Sequence, residues 1–449
     1  MPQVKSQKNS SNPRRVAAKV VAKVLEQNSF SNLALSQAMD EAALSALDKG
    51  LCTELTYGTI RWASSLEQSL RRALEKPGQK IDTILLPHLL VAAYQLQHLS
   101  EKIPAHAAVN TAVNEVKRKR PYLAGFTNLI LRRLGSPMHL TLQPEDEINV
   151  EKLSQAFGLP LTLVQAISQA LPACEWRLAC EAMNQRPKVW LRMFQENPQL
   201  LLGEKHAFVP SAVCMQKGGS PTEIAGFQNG DFMVQDPASQ VAALLVNPSC
   251  TVASTIIDYC AAPGSKSMIL KKIAEPKSHV FAVDVSDAKI RRIQDNARRM
   301  KLSIKTVVKD ARTLAEDPKF QGQVDAILLD APCSGLGTIR RHPEIKLKHT
   351  AENLEKLLAL QSELLDSAAK ILRVAGSLVY SVCSPLPQEG SEQIAAFLAK
   401  HPNFIRENPA SSLPWLPADA INDQLEVRLW PHRHDCDAFF AVRLKKEYD

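Results

Sequence analysis

From about residue 250 onward, apolar runs ending in a polar residue alternate with stretches of helical period, and this alternation constrains the fold most tightly. Thr255–Asp258, Val280–Asp284, Thr306–Asp310, Ala326–Asp330 and Ser377–Ser381 read as strands. Lys266–Ile273, Asp287–Arg299, Asn353–Leu372 and Glu392–Lys400 read as the helices between them. Apolar strands joined by helical crossovers predict an α/β, doubly wound, Rossmann-like sheet. Ligands of such sheets bind beyond the carboxyl ends of the strands. Four of the five expected ends are aspartates, so that rim is acidic.

The first half of the chain is built differently. A length of 449 residues leaves room for two or three domains. Between about 13 and 136 there is almost no β-branched alternation. Val16, Val20, Val21, Val24 and Leu25 recur at helical spacing, followed by Leu55, Ile60, Leu66 and Leu70. Pro104 stands near a helix start; that helix carries Val113 and Val116 inward and ends in Lys117-Arg118-Lys119-Arg120. A basic pair, Arg132-Arg133, follows before the pattern lapses at Gly135-Ser136-Pro137. From 145 to 230 the signals are mixed, with a helix over Leu161–Leu171 and a strand-like piece at Val189–Met193. Asp236-Pro237 reads as an N-cap followed by proline at the first helical position. The expected division is a disordered basic arm at 1–12, a helical domain at 13–140, a mixed linking subdomain at 141–232 and the α/β domain at 233–449.

Charge follows the same division. Residues 1–140 hold 19 basic against 10 acidic side chains, a surplus of 9, whereas residues 141–449 hold 35 against 36. The chain's net +8 therefore sits in the helical third, which points to a polyanionic partner docking there. Several classes fall away. The richest apolar stretch, Ile84 to Leu99, is interrupted by Pro87, His88, Gln95, Gln97 and His98, too polar for a membrane span. The N-terminus, with Lys5, Lys8, Arg14, Arg15 and Lys19, has no apolar core of a signal peptide. Nine cysteines without a Cys-x-x-Cys pair argue against a disulfide framework or zinc ribbon and for a reducing cytosol. Cys52, Cys174, Cys180, Cys214 and Cys250 read as buried hydrophobes.

The chemistry gathers at strand ends. The first strand runs into Tyr259-Cys260-Ala261-Ala262-Pro263-Gly264-Ser265-Lys266, a turn of small residues that lets a ligand reach backbone at a helix N-terminus. It is neither Gly-x-Gly-x-x-Gly nor a P-loop. The next strand ends at Asp284, about 20 residues on, where an acid can take both ribose hydroxyls. The fourth delivers Asp330-Ala331-Pro332-Cys333-Ser334-Gly335, and the fifth Tyr380-Ser381-Val382-Cys383-Ser384. Two thiols thus stand just past two strand ends, beside an acid.

These motifs resemble the RNA cytosine-5 methyltransferases that use S-adenosylmethionine. Ile103-Pro104-Ala105-His106-Ala107-Ala108-Val109-Asn110 and Gly125–Leu134 are similar to a NusB-type RNA-binding domain, and the pairing resembles the Sun/Fmu type of bacterial 16S rRNA methyltransferase. The resemblance implies a covalent mechanism. A thiolate adding at C6 of cytosine makes C5 nucleophilic, and the base must leave its stack to be reached. It implies Cys383 as nucleophile and Cys333 in product release; position alone leaves the choice open, since DNA cytosine methylases use a Pro-Cys thiol. Asp330 is placed to hold the base near N3, and Lys266 either positions the reacting groups or caps the turn. By the same resemblance, cofactor contacts are expected at Cys260, Ala261, Ala262, Pro263, Gly264, Ser265 and Lys266, and at Asp284, Asp310 and Asp330. RNA contacts are expected at Arg340, Arg341 and His342 and at Lys117, Arg118, Lys119, Arg120, Arg132 and Arg133.

The sequence departs from the family pattern at Ser265, Val382, Pro385, Gly390-Ser391, Cys436 and Ala438. His432, His434, Asp435 and Cys436 suggest metal, but Phe439-Phe440-Ala441-Val442 reads as a strand and no metal is expected. The partner is then 16S rRNA, naked or in an early small-subunit particle, met by a cytoplasmic monomer. A tRNA substrate, or a non-catalytic role as an RNA-binding assembly factor, are the competing readings; retention of Asp330 and both thiols weighs against the last.

Overall fold

The computed structural model describes residues 12–449 apart from 28, 77, 138, 140, 196–202, 216–218, 250 and 449. Lys5, Lys8 and nearly all of the expected arm, and Cys250, lie outside the described residues. The chain divides into two compact units. One extends to Gln185 and also takes in Ile339–Lys348; the other holds Arg186–Thr338 and everything from His349 on.

The first unit is helical: α1 (Pro13–Gln27), α2 (Ser31–Glu41), α3 (Ala46–Arg72), α4 (Leu86–His98), α5 (Ala105–Lys119), α6 (Ala124–Arg132), α7 (Val150–Phe157), α8 (Leu161–Ala170) and α9 (Trp176–Met183). Val16, Val20, Val21 and Val24 of α1 and Leu55, Ile60, Leu66 and Leu70 of α3 are buried, as their spacing requires. Ser45 caps α3 by accepting from the Asp48 amide at 3.2 Å. On α5 the inward face is Ala108, Val109, Ala112, Glu115 and Val116, so Val113 is only half-buried. The break expected after residue 140 is not where the units part, because α7 to α9 belong with the helices before them.

The second unit begins with a small antiparallel sheet, order β2-β1-β3, of β1 (Trp190–Met193), β2 (Ala212–Cys214) and β3 (Phe232–Val234). Helix α10 (Pro237–Leu245) follows, with Asp236 accepting from the Ala238 amide at 2.9 Å as its N-cap. The main sheet has the order β10-β11-β8-β7-β4-β5-β6. Its strands are β4 (Thr255–Tyr259), β5 (His279–Asp284), β6 (Lys305–Val308), β7 (Val324–Asp330), β8 (Leu372–Val382), β9 (Phe404–Arg406, paired with β11), β10 (Val427–Leu429) and β11 (Phe439–Lys446). Strands β8, β7, β4, β5 and β6 are parallel and β11 is antiparallel to β8.

Alternate residues serve opposite faces. Ile256, Leu328, Val379 and Ala441 pack with α10 and with Ile269 and Leu270 of α11 (Ser265–Ile273). Ile257, Leu329, Tyr380 and Val442 pack with other helical residues, once the chain has passed α12 (Asp287–Arg299) and α13 (Ile345–Lys348). Those residues come from α14 (Ala351–Ile371) and α15 (Ser391–Lys400). After β4 the chain goes to β5 and β6 on one side, then back to β7 on the other. This switch point opens the crevice in which such sheets bind ligands.

Two expectations need correction. Asp310 is not a strand end: β6 stops at Val308, and Asp310 caps the 3₁₀ turn Ala311–Glu316. Cys174 is exposed, whereas Cys52, Cys180 and Cys214 are buried as expected.

The segment Ile339–Lys348, though it follows the loop after β7, is built into the helical unit. Glu344, fully buried, accepts from the Ser31 amide at 3.1 Å and from Ser31 Oγ at 2.8 Å, a carboxylate at the start of α2. Lys346 Nζ donates to the Arg61 carbonyl at 2.5 Å and to Asn184 Oδ1 at 3.1 Å. Arg340 is 5% exposed, and its carbonyl accepts from Arg61 Nη2. Burial withdraws Arg340 from the residues that can meet a phosphate; Arg341 and His342 are half-buried.

Candidate active site

The crevice beyond β4, β5 and β7 gathers most of the residues expected there. The turn after β4 has Cys260 at φ 57° and Gly264 at φ 93°. A Cβ on Gly264 would come within 3.0 Å of Ile293, so this tight turn onto α11 requires glycine. Ser265, the first residue of α11, is buried. Asp284, 4% exposed at the end of β5, accepts from the Ser286 amide at 3.0 Å and lies 3.8 Å from Lys289 Nζ. Asp310 is held differently, since Arg312 engages both its carboxylate oxygens through Nε and Nη2. That pairing, ahead of any burial, keeps the Asp310 carboxyl below its ordinary value.

Asp330, at the end of β7, accepts from Lys266 Nζ at 2.7 Å and from Ser381 Oγ at 2.9 Å. Burial pulls the Lys266 ammonium down, but Asp330's charge and hydrogen bond, with the charges of Asp258 and Cys383, outweigh it, and its pKa is raised. Asp258 is fully buried and accepts from Ser267 Oγ; burial pushes its carboxyl up to about 7.

Cys333 and Cys383 meet with their Sγ atoms 3.4 Å apart. They extend from β7 and β8, neighbouring parallel strands in register from Ala326 with Ser377 to Asp330 with Ser381. The loops are interlocked. The Gly337 amide donates to the Cys383 carbonyl at 3.0 Å, and a Cβ on Gly337 would lie 1.9 Å from the Ala438 carbonyl oxygen. The two thiols differ in their surroundings. The hydrogen bond with Cys383, then burial and the charges of Cys383 and Glu389, raise the Cys333 thiol well above its ordinary value. Cys383 instead faces the Lys266 ammonium. The raised Cys333 thiol therefore holds its proton. Cys260 is pushed up to about 12, by burial first and then by Asp284, Asp330 and Asp258, which makes it an inert thiol.

Three departures from the family pattern find a local reason. A Cβ on Gly390 would meet Phe440 at 2.9 Å, Ser391 Oγ accepts from Arg428 Nη2 at 3.0 Å, and Val382 is buried opposite Phe440. Sequence reasoning missed Glu389, which binds Ser334 beside Cys333; its one signal was an acid in the short Pro-flanked turn between a strand and a helix. Among the described residues no group of three or more His, Cys, Asp or Glu could hold a metal ion, and no helix is long and apolar enough to cross a membrane.

The residues fit the cofactor that the resemblance implies. A buried carboxylate at the β5 end suits a ribose diol, the small residues of the turn leave backbone open, and an acidic rim suits a sulfonium cation. A Rossmann-like sheet with this turn and a thiol pair at two strand ends defines a methyltransferase. The 16S rRNA methyltransferase RsmB/F family model matches residues 243–445, and the NusB family model matches residues 11–136. Ribosomal RNA small subunit methyltransferase B of Serratia proteamaculans (strain 568) is 33% identical over 454 residues, covering 98% of this chain and 100% of the relative. Its counterpart in Proteus mirabilis (strain HI4320) is 36% identical over 409 residues, 87% and 92% of the two chains. The chain belongs to the 16S rRNA methyltransferase RsmB/F family. Solved structures share the fold. PH0851 superposes with a TM-score of 0.76 at 24% identity over 98% of this chain and 100% of the other. NSun6 from Pyrococcus horikoshii gives 0.54 at 20% identity, over 65% and 99%.

Proposed function

We propose that this enzyme transfers a methyl group from S-adenosylmethionine to C5 of one cytosine in 16S rRNA, through a bond between Cys383 Sγ and C6 of that base. The observation that carries the reading is the pair of thiols 3.4 Å apart beside the Lys266–Asp330 ion pair. Bound in the crevice, S-adenosylmethionine supplies an electrophilic methyl group. Asp284 takes the ribose hydroxyls, the backbone from Cys260 to Ser265 lines the approach, and Asp310 is available only through what Arg312 leaves free. Cys383, as thiolate beside Lys266, adds to C6 and turns C5 into an enamine-like carbon. Asp330, fixed by Lys266 and Ser381, orients the base at its N3 and N4 edge. Solvent water takes the C5 proton, and the electron pair of the broken C–H bond expels Cys383 as thiolate and restores aromaticity, with Cys333 serving that release.

The exposed residues Lys117, Arg118, Lys119, Arg120, Arg132 and Arg133, with Arg341 and His342, supply the contacts to RNA. The names of the Serratia and Proteus relatives support small-subunit rRNA over tRNA, and the basic helical unit suits either RNA.

The test is a pair of variants. Cys383→Ala abolishes methyl transfer to 16S rRNA, and normal turnover would remove Cys383 from the role. Cys333→Ala accumulates an RNA–protein adduct stable to denaturing electrophoresis; intact turnover with no adduct would remove Cys333. Transfer to tRNA but not to 16S rRNA would move the substrate.

A further inference from the structure

Glu389 has no part in the reaction described so far, yet it is a fully buried carboxylate within the thiol site. Its Oε1 accepts from the Ser334 amide at 2.7 Å and from Gln361 Nε2 at 3.2 Å, and its Oε2 accepts from Ser334 Oγ at 2.6 Å. Its carbonyl accepts from the Tyr380 hydroxyl at 2.7 Å. Ser334 directly follows Cys333. Its Oγ also lies 3.1 Å from Ser384 Oγ, on the residue that directly follows Cys383. Gln361, on α14, reaches the Pro332 carbonyl at 2.9 Å, on the other side of Cys333. A carboxylate is costly to bury unless its oxygens are bonded, and here both are spent on the residue next to a reactive thiol.

We propose that Glu389 is a positioning residue for the thiol pair, clamping the loop that carries Cys333 against the loop that carries Cys383. The inference rests on the roles given to the two thiols above. Its charge has a second consequence. Cys333 faces Cys383, Glu389 and Tyr380, and the first two favour the protonated thiol. Glu389 also faces His349 and Tyr380, while Lys266 reaches the pair from the Cys383 side together with Asp330 and Asp258. Glu389 therefore helps to hold the proton on Cys333.

Two measurements on the full chain test this. The first follows alkylation of Cys333 by iodoacetamide against pH, read by peptide mass spectrometry without RNA. Glu389→Gln removes the charge and keeps the size, and the profile moves to lower pH by about one unit, making Cys333 about tenfold more reactive on the rising limb. The second is steady-state methyl transfer to 16S rRNA. Glu389→Ala lowers kcat about 100-fold, as a loosened reacting group does, with KM for RNA within about twofold. Where Glu389→Ala does not fold, Ser334→Ala replaces it: kcat falls while the alkylation profile moves less than in Glu389→Gln, because the carboxylate remains. An unmoved profile in Glu389→Gln, or wild-type kcat in the truncated variant, overturns the proposal. Failure of the wild type to methylate 16S rRNA would instead defeat the functional reading, and the alkylation profile would still decide the role of Glu389.

Discussion

Lys266 in the α/β unit, largely covered, and Lys346 in the helical unit, buried, both carry ammonium groups, but their partners differ in kind. Lys266 Nζ has a carboxylate, Asp330, at 2.7 Å, and the nearby charges of Asp258 and Cys383 also favour its charged form. Among the described residues, Lys346 Nζ donates to a backbone carbonyl and a side-chain amide oxygen, of Arg61 and Asn184. Burial, with a lesser push from the Arg61 guanidinium, takes its pKa down to about 7. A lysine that must stay charged beside reacting groups is given counter-charges, whereas one that ties a segment into a core makes do with dipoles.

Activity separates the two most widely. Lys266→Met leaves Asp330 and Cys383 without the cation that lies beside them. Methyl transfer at saturating RNA is expected to fall by about 100-fold or more, the usual effect of deleting one electrostatic group from a reacting site. Lys346→Met keeps the stem and touches no reacting group, so transfer by the folded protein stays within about threefold of wild type. Equal losses in the two variants would break the comparison.

Stability against pH gives them opposite signs. Lys346 in the folded chain loses its proton near pH 7, the unfolded lysine near 10.5. Between these values the unfolded state holds more protons, so stability rises with pH, by up to ~1.4 kcal/mol per unit. Below pH 7 the full cost of burying the ammonium is present. Lys266 is shifted upward: its contribution is complete below 10.5 and is lost only as pH climbs through its raised folded value. Urea unfolding of wild type and Lys346→Met from pH 7 to 10 isolates the first slope, and parallel curves would contradict it. At pH 10, where wild-type Lys346 is neutral, the Met variant removes the donor to Asn184 Oδ1 and a further donor to the Arg61 carbonyl, and is destabilised by about 1–3 kcal/mol.

The same contrast shows what a sequence can carry. The α/β unit was legible because period and strand ends are local: Asp284 and Asp330 stand at strand ends as expected, and the turn from Cys260 to Ser265 is a run of neighbours. Asp310 was misplaced by two residues because β6 is short and its acid caps a turn rather than ending a strand. Arg340, Glu344 and Lys346 were not legible as core. The partners that bury them lie far away in the chain: Ser31 is 313 residues from Glu344, and Arg61 is 285 from Lys346. A run such as Arg340-Arg341-His342 reads as an exposed basic patch until those partners are known. Glu389 was missed for the same reason, its bonds to Ser334 spanning 55 residues.

A smaller effect probes the surface charge of the helical unit. Lys117, Lys119 and Arg120 are exposed at the end of α5, where the helix dipole favours them whether or not RNA is present. The two causes separate in salt. If these side chains neutralise phosphates, Lys117→Gln and Lys119→Gln each weaken 16S rRNA binding a few-fold at low salt. Each then lowers the slope of log affinity against log salt by about 0.7 to 1, as one lost phosphate contact does. A solvated helix end gives neither change, only a few tenths of a kcal/mol in helix stability. Cofactor affinity, set in the α/β unit, stays constant in both variants. An unchanged salt slope with weakened helix stability would assign the run Lys117–Arg120 to the dipole alone and move the RNA contact to Arg132, Arg133 and Arg341.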